Sequence, residues 1–182
     1  MAPETNLSDL LHPAILTADR ITRSGVALHI RPATRDDEGA LIAFFANVSA
    51  DDLRSRFGGT SPQIGSAALA PLLECDASLS MTFLAFAEDT LVAASTLADV
   101  PGSATAEVAL SVHAHYKGRG IAWTLLEHTL AYATAHGLKE VTSFESGDER
   151  AAVNLEREMG FVARLTSASP VELSLSKIVA AD

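Results

Sequence analysis

Residues 107–123 hold the side chains and turns best suited to chemistry. Glu107 stands at the head of the apolar run 108–112, which predicts a short buried strand. A carboxylate on such a strand is partly desolvated, and desolvation raises its pKa toward the range of a useful general base. The competing interpretation of Glu107 is a solvated charge or a salt-bridge partner near the beginning of the strand.

A pair of glycines follows this strand. Gly118 and Gly120 allow a tight turn, and they leave the backbone amides of residues 119–122 at a helix start, where no preceding carbonyl can accept them. Such amides form a ready anion site, and phosphate is the usual anion. Lys117 and Arg119 place two cations beside it. The alternative is that the glycines only change the direction of the chain.

Two histidines lie between the strand and the glycines. Side chains alternate between the two faces of a strand, so His113 is predicted to lie on the same face as Glu107 and Ser111. This arrangement would allow a proton relay from Glu107 through Ser111 to His113. His113 and His115 also raise the question of a metal. Since no third ligand is near in the sequence, we expect no metal and interpret them as ordinary loop histidines.

The pattern of apolar residues predicts an α/β protein, with a mixed, strongly twisted sheet of six or seven strands flanked by helices. The predicted strands are 26–31, 81–88, 90–98, 105–113, 141–145, 161–165 and 171–175. The predicted helices are 34–48, 49–56, a segment within 64–73 that breaks or restarts at Pro71, 122–135 and one that ends at Gly160.

The composition describes a packed, acidic domain. Of the 182 residues, 48% are hydrophobic and 20% are charged, which argues for one globular domain. Thirteen basic residues against 23 acidic ones give a net charge of −10. Nucleic acid is not an expected partner, because a surface that follows phosphates needs a basic patch. The acidity would attract cationic amines, or it simply keeps the protein soluble.

The N-terminal segment and the single cysteine indicate the cellular compartment of the protein. Cys75 leaves no internal disulfide and fits a reducing compartment, so we expect a cytoplasmic protein. Charged residues interrupt the N-terminal segment, and we expect neither a signal peptide nor a membrane span. Residues 1–25 are predicted to be an N-terminal extension, and residues 26–182 the domain itself.

The glycine turn and its surroundings are similar to a known family. Residues 117–122, Lys-Gly-Arg-Gly-Ile-Ala, resemble the pyrophosphate loop of the GNAT superfamily of N-acetyltransferases, whose pattern is Arg/Gln-x-x-Gly-x-Gly/Ala. The similarity continues through the next helix, strand 141–145 and the helix that ends at Gly160-Phe161, and it spans roughly residues 26–176. Lys117 departs from the usual Arg or Gln.

The resemblance implies a GNAT-like fold and direct transfer of an acetyl group from acetyl-CoA, the co-substrate, to a primary amine, without a metal. It implies that Glu107, directly or through water, removes the amine proton. Ser111 and Val112 would offer main-chain hydrogen bonds to the pantetheine arm. The residues implied for the pyrophosphate are Lys117, Gly118, Arg119, Gly120, Ile121 and Ala122.

Two positions depart from the family pattern. Many GNAT enzymes carry a tyrosine before the Gly-Phe ending, as the acid that protonates the leaving thiolate, and here that position is Glu156. Tyr116, in the loop, cannot be assumed to replace it. The same helix usually begins with an asparagine that contacts the cofactor arm, and here that position is Glu149. The missing tyrosine gives weight to a rival class, a non-catalytic acyl-CoA-binding sensor.

Shorter motifs look like the bacterial protein-lysine acetyltransferase (Pat-like) branch, which carries a glutamate in the strand of Glu107. These motifs are residues 28–33, 36–38, 49–57 and 106–110. The resemblance implies protein lysine as the acceptor, and a small-molecule amine is the alternative. No membrane partner is expected, and a homodimer is one option for the assembly.

Overall fold

An open sheet of eight strands runs through the part of the chain that this computed structural model describes, residues 13–57, 66–73 and 80–180. Apolar and β-branched residues dominate its central strands, as expected where both faces are covered. The strands are β1 Ala18–Ile21, β2 Ala27–Pro32, β3 Ser80–Ala87, β4 Thr90–Asp99, β5 Thr105–Val112, β6 Glu140–Ser146, β7 Val162–Ala168 and β8 Val171–Ile178. Their order across the sheet is β1-β2-β3-β4-β5-β6-β8-β7.

Helices pack on both faces of this sheet. They are α1 Pro13–Leu16, α2 Glu38–Phe45, α3 Ala50–Phe57, α4 Ser66–Leu73, α5 Ile121–Ala135 and α6 Arg150–Glu158. Short 3-10 turns at Arg35–Asp37 and Ala114–Tyr116 precede α2 and α5. Pro71 lies inside α4, so the break or restart predicted at this proline is wrong. Among the described residues, no helix is long and apolar enough to cross a membrane.

The sheet changes direction between β5 and β6. Strands β1 to β5 are antiparallel neighbours, whereas β5 and β6 run parallel. A parallel pair requires a crossover connection, which α5 supplies. Beyond β6 the pairing with β8, and of β8 with β7, is antiparallel again.

The mixed α/β class with flanking helices is confirmed, but the predicted six or seven strands are too few. The additional strand is β1, which pairs with β2 from Ala18 opposite Ile30 to Ile21 opposite Ala27. Three of its four residues are exposed, so its sequence carries no alternating apolar signal. β1 lies within the predicted N-terminal extension, whose residues 1–12, like Cys75, fall outside the described residues.

Two apolar clusters hold the sheet, one on each face. The larger lies under α5, whose Ile121, Leu125 and Leu126 are almost fully buried. Burial of a side chain of this size contributes about 1.5–3 kcal/mol. The smaller cluster, which includes Leu41 and Phe45, lies under α2 and α4. Because α5 follows β5 closely and is held by this core, its first turn is fixed at the end of β5.

A buried carboxylate joins β2 to the turn before α2. Asp37 accepts hydrogen bonds from Nη1 and Nη2 of Arg31 at 2.8 and 2.6 Å. It also accepts from the backbone N–H and the hydroxyl of Thr34 at 2.7 and 2.9 Å. The bond from the Arg31 guanidinium is the largest cause that lowers the pKa of Asp37, to about 2.

We expect Asp37→Asn to lower the free energy of unfolding at neutral pH by about 2 kcal/mol, because charge-assisted hydrogen bonds are lost. The pKa of Asp37 is depressed in the folded state, so this stabilisation is complete above the ordinary carboxyl pKa and is lost as the pH falls toward 2. Urea denaturation across the acid range measures it. Asp36→Asn, at the exposed neighbour, is the matched control. A loss that stayed constant with pH would contradict this assignment.

Candidate active site

A wedge-shaped gap opens in the middle of the sheet. β5 and β6 are paired at only three positions, ending at Glu107 opposite Thr142. Past this point β5 remains paired with β4 as far as Val112, and β6 remains paired with β8 as far as Ser146. The two strands therefore part from Glu107 onward, and the gap widens toward the N-terminus of α5.

This gap is a cleft of about 390 Å³. Its walls are apolar along β5, α5 and α6, and acidic where α3, β6 and α6 approach each other. The apolar part of the lining includes Val108, Leu110, Val112, Ile121, Ala122, Phe144, Ala152 and Leu155. The charged part consists of Asp52, Arg56, Glu107, Lys117, Glu145 and Glu149.

The exposed edge of β5 offers main-chain groups to the cleft. The N–H of His113 donates to Val92 O, and the N–H of Val100 donates to Thr105 O, both at 2.9 Å. Since bonded and non-bonded pairs alternate along an antiparallel ladder, the odd-numbered residues of β5 bond to β4. The even-numbered ones, Val108, Leu110 and Val112, turn their N–H and C=O groups toward the gap. The main-chain groups of Ser111, expected to face the ligand, are turned to β4.

The glycine turn closes the wide end of the cleft. Gly118 and Gly120 both have a φ of +74°, a left-handed conformation that favours glycine, and Gly120 is the N-cap of α5. The first bond of the helix runs from Thr124 N to Gly120 O at 3.1 Å, so the amides of residues 121–123 have no acceptor within the helix. The Ser24 hydroxyl donates to Arg119 O at 2.6 Å and fixes the turn.

The two cations expected at the turn are engaged differently. Lys117 Nζ lies 2.7 Å from Asp52 Oδ2, which ties the turn to α3. The Lys117 side chain is 46% exposed, so water screens this pair and it contributes little to stability. The exposed Arg119 places its guanidinium 5.1 Å from the centre of the Tyr116 ring, so it stays beside the amides.

Glu107 stands where β5 and β6 part. Its side chain is exposed to solvent, so the burial expected for this carboxylate is wrong for the protein alone. Within the described residues, Glu107 has no hydrogen-bond or ion-pair partner. It borders the cleft as a free carboxylate, which a ligand in the cleft would cover.

The other polar side chains on this face of β5 do not form the relay that their shared face allows. Ser111 is buried, and its hydroxyl has no partner among the described residues. His113 Nδ1 accepts from the backbone N–H of His115 at 3.2 Å, and burial lowers the pKa of His113. In the same described ranges, no three His, Cys, Asp or Glu side chains converge as a metal site.

A group of carboxylates on β6 and α6 was not predicted as functional. Glu145 lines the cleft, and burial, followed by the nearby carboxylates of Glu156, Glu149 and Asp52, raises its pKa to about 8. Burial raises the pKa of Glu156 to about 7, although the Ser143 hydroxyl donates to it at 2.5 Å. Burial also raises the pKa of Glu149, the N-cap residue of α6, whose side chain makes no capping bond.

Arg56 fixes α3 on the opposite side of the cleft. Its Nη1 donates to Ala109 O at 2.9 Å and its Nη2 to Thr96 Oγ1 at 2.5 Å. Desolvation lowers the pKa of this guanidinium to about 10, so it stays charged at neutral pH. Through Arg56, α3 becomes a wall of the cleft beside Glu107.

Parted parallel strands, a free strand edge and a helix start with unpaired amides have the shape and the hydrogen-bonding groups that an extended, phosphate-bearing ligand requires. A model described as the acetyltransferase (GNAT) family matches residues 50–161, which is more than half of the chain. The chain therefore belongs to the acetyltransferase (GNAT) family, and the protein is an acetyltransferase.

Solved structures from several bacteria share this fold. The GNAT domain of S. lividans PAT superposes with a TM-score of 0.83 at 23% identity, covering 92% of this chain and 99% of that one. Spermidine N-acetyltransferase from Vibrio cholerae, solved with CoA and spermine, gives 0.69 at 18% identity over 83% and 95%. The putative acetyltransferase yncA from Salmonella typhimurium, solved with acetyl-CoA, gives 0.72 at 14% over 85% and 95%. At these identities the likeness shows the fold.

Proposed function

We propose that this acetyltransferase moves an acetyl group from acetyl-CoA directly to a primary amine, with protein lysine as the acceptor. The observation that carries the proposal is the continuity of the cleft, which runs from the amides at the start of α5 to the free carboxylate of Glu107. A ligand anchored by phosphate at one end of this cleft presents its other end to Glu107.

The residues along the cleft fit acetyl-CoA. The amides of residues 119–122, beside Lys117 and Arg119, suit its pyrophosphate. The gap-facing main-chain groups of Leu110 and Val112 suit an extended arm with amide groups, as an added strand would use them. When bound, acetyl-CoA supplies an activated acetyl thioester.

Glu107 is assigned the part of general base. A protonated amine has no lone pair, so the acceptor must lose a proton to attack. Glu107 is free, borders the cleft and reaches solvent, so it can take that proton directly or through one water and pass it on. The N–H groups along the edge of β5 would stabilise the carbonyl oxygen as it gains charge.

The charges around the cleft favour a cationic acceptor. Asp52, Glu107 and Glu149 outnumber Lys117 and Arg56 in its lining, and Glu145, with a pKa of about 8, adds an uncharged carboxyl at neutral pH. Such a field draws amines and repels anionic substrates. A lysine side chain satisfies this requirement. A small polyamine is the second candidate, because the acidic lining suits several amino groups and the V. cholerae neighbour is a spermidine N-acetyltransferase.

Release of free thiol from acetyl-CoA, measured with lysine-containing proteins, lysine peptides, spermidine and amino acids, tests the proposal. We expect turnover with lysine substrates and an added acetyl mass on the product. Turnover with spermidine alone would favour the second candidate. Binding of acetyl-CoA by calorimetry without turnover on any amine would contradict the proposal and favour a sensor.

A further inference from the structure

Glu145 lies on the cleft wall opposite β5, between the two ends of the site. It is three residues along β6 from Thr142, where the strands part, so it lies about 10 Å from the narrow end of the cleft. It has no ion-pair partner among the described residues, and its side chain is partly buried. A phosphate-anchored thioester whose acetyl group meets Glu107 would bring its sulfur toward this wall.

We propose that Glu145 is the acid that protonates the sulfur of CoA as it leaves. The inference rests on the proposed function. The amine nitrogen attacks the thioester carbon, the carbon–sulfur bond breaks, and its electron pair goes to sulfur, which takes the proton of the Glu145 carboxyl. An acceptor that arrives as an ammonium ion loses two protons, one before attack and one after it, and Glu107 takes each in turn and passes it to water. Glu145 recovers one proton from water, so one proton is released for each ammonium ion that is acetylated.

The surroundings of Glu145 keep its carboxyl protonated. Glu156 and Glu149 of α6 and Asp52 of α3 face it, and each carboxylate disfavours a further negative charge. Lys117, the cation nearby, is 2.7 Å from Asp52 and so partly neutralises that group. Together with burial, these charges raise the pKa of Glu145 to about 8, so most of its carboxyls hold a proton at neutral pH.

Glu145 is better placed to donate a proton to sulfur than the neighbouring acidic groups are. Glu156 lies behind it, buried, and accepts the bond from Ser143, which turns its carboxylate toward β6. Glu156 is therefore a positioning residue, which acts through the pKa of Glu145. The phenol of Tyr116 also borders the cleft, so it is the competing donor.

The test compares Glu145→Gln with Tyr116→Phe as thiol release is followed across pH. For the wild type, kcat/KM should fall above about pH 8, where Glu145 loses its proton. Glu145→Gln should lower turnover at neutral pH by about a hundredfold, because glutamine donates no proton, and it should abolish the alkaline fall. In Tyr116→Phe, kcat/KM should still decrease above about pH 8. If this decrease disappeared in Tyr116→Phe but remained in Glu145→Gln, the assignment would be overturned.

Two further variants separate this inference from the proposed function. Glu156→Gln removes a like charge, so the alkaline fall should move to lower pH while Glu145 remains the donor. NMR of isotope-labelled glutamate carboxyls, without substrate, should show a resonance that titrates near pH 8 and is missing in Glu145→Gln. Its persistence in that variant would overturn the inference, whatever the activity. If Glu107→Gln alone loses turnover, the proposed function stands and the donor assignment fails.

Discussion

Glu107→Gln is expected to lower turnover by about a hundredfold or more while acetyl-CoA binds as tightly as before. Glutamine matches glutamate in shape but cannot accept the amine proton. The side chain lies at the narrow end of the cleft, away from the anion-binding turn, so phosphate binding should not change. Thiol release measures the rate, and calorimetry measures the affinity for acetyl-CoA.

The acidic flank of the pH–rate profile distinguishes a base from a merely attractive charge. If Glu107 removes the proton, the variant should turn over more slowly than the wild type at every pH at which the acceptor is still largely protonated. At high pH the difference between the two should narrow, because free amine becomes abundant. Glu172→Gln, at an exposed position of β8, makes the same chemical change outside the lining of the cleft and should keep full activity. Equal rates for wild type and Glu107→Gln would rule out this role.

The glycine turn and α5 were predictable because their signals are local. Gly118 and Gly120 are needed at a φ of +74°, and the apolar spacing that follows them has the period of a helix. The strand β1 was missed for the opposite reason. The four residues Ala18-Asp19-Arg20-Ile21 form a strand only because the edge of β2 is available for pairing. Most of them are exposed, so they show no alternation of apolar and polar residues that would predict a strand.

The cleft was predictable only in part, because it depends on where two distant strands separate. The sequence places Glu107 on β5 and Glu145 on β6, but nothing in it says that pairing stops after Glu107 and Thr142. Glu107 is paired on both sides, with Ala98 of β4 and Thr142 of β6, yet its side chain is exposed, which the apolar run after it does not indicate. Glu145 was missed because a carboxylate at a strand end resembles a solvated charge until α3 and α6 are seen to approach it.

Gly120→Val is expected to weaken acetyl-CoA binding by at least about tenfold. Gly120 has a φ of +74°, which a β-branched residue adopts only under strain, and its added Cβ would lie 3.4 Å from Thr22 Cβ. We expect the backbone strain at this φ, and not the van der Waals contact with Thr22, to move the turn, so that the amides of residues 121–123 lose their common direction. Since a hydrogen bond to a charged group contributes about 1.5–3 kcal/mol, losing one costs roughly tenfold or more in affinity.

Gly102→Val separates loss of binding from loss of stability. Gly102, in the turn between β4 and β5, has nearly the same φ, +77°, and open space around its Cβ position. Both variants carry the left-handed penalty of about 1–2 kcal/mol, so both should melt at lower temperature. Only Gly120→Val should raise the Kd for acetyl-CoA in calorimetry below the melting range. If both variants bound acetyl-CoA like the wild type, the phosphates would have to be held elsewhere than at the start of α5.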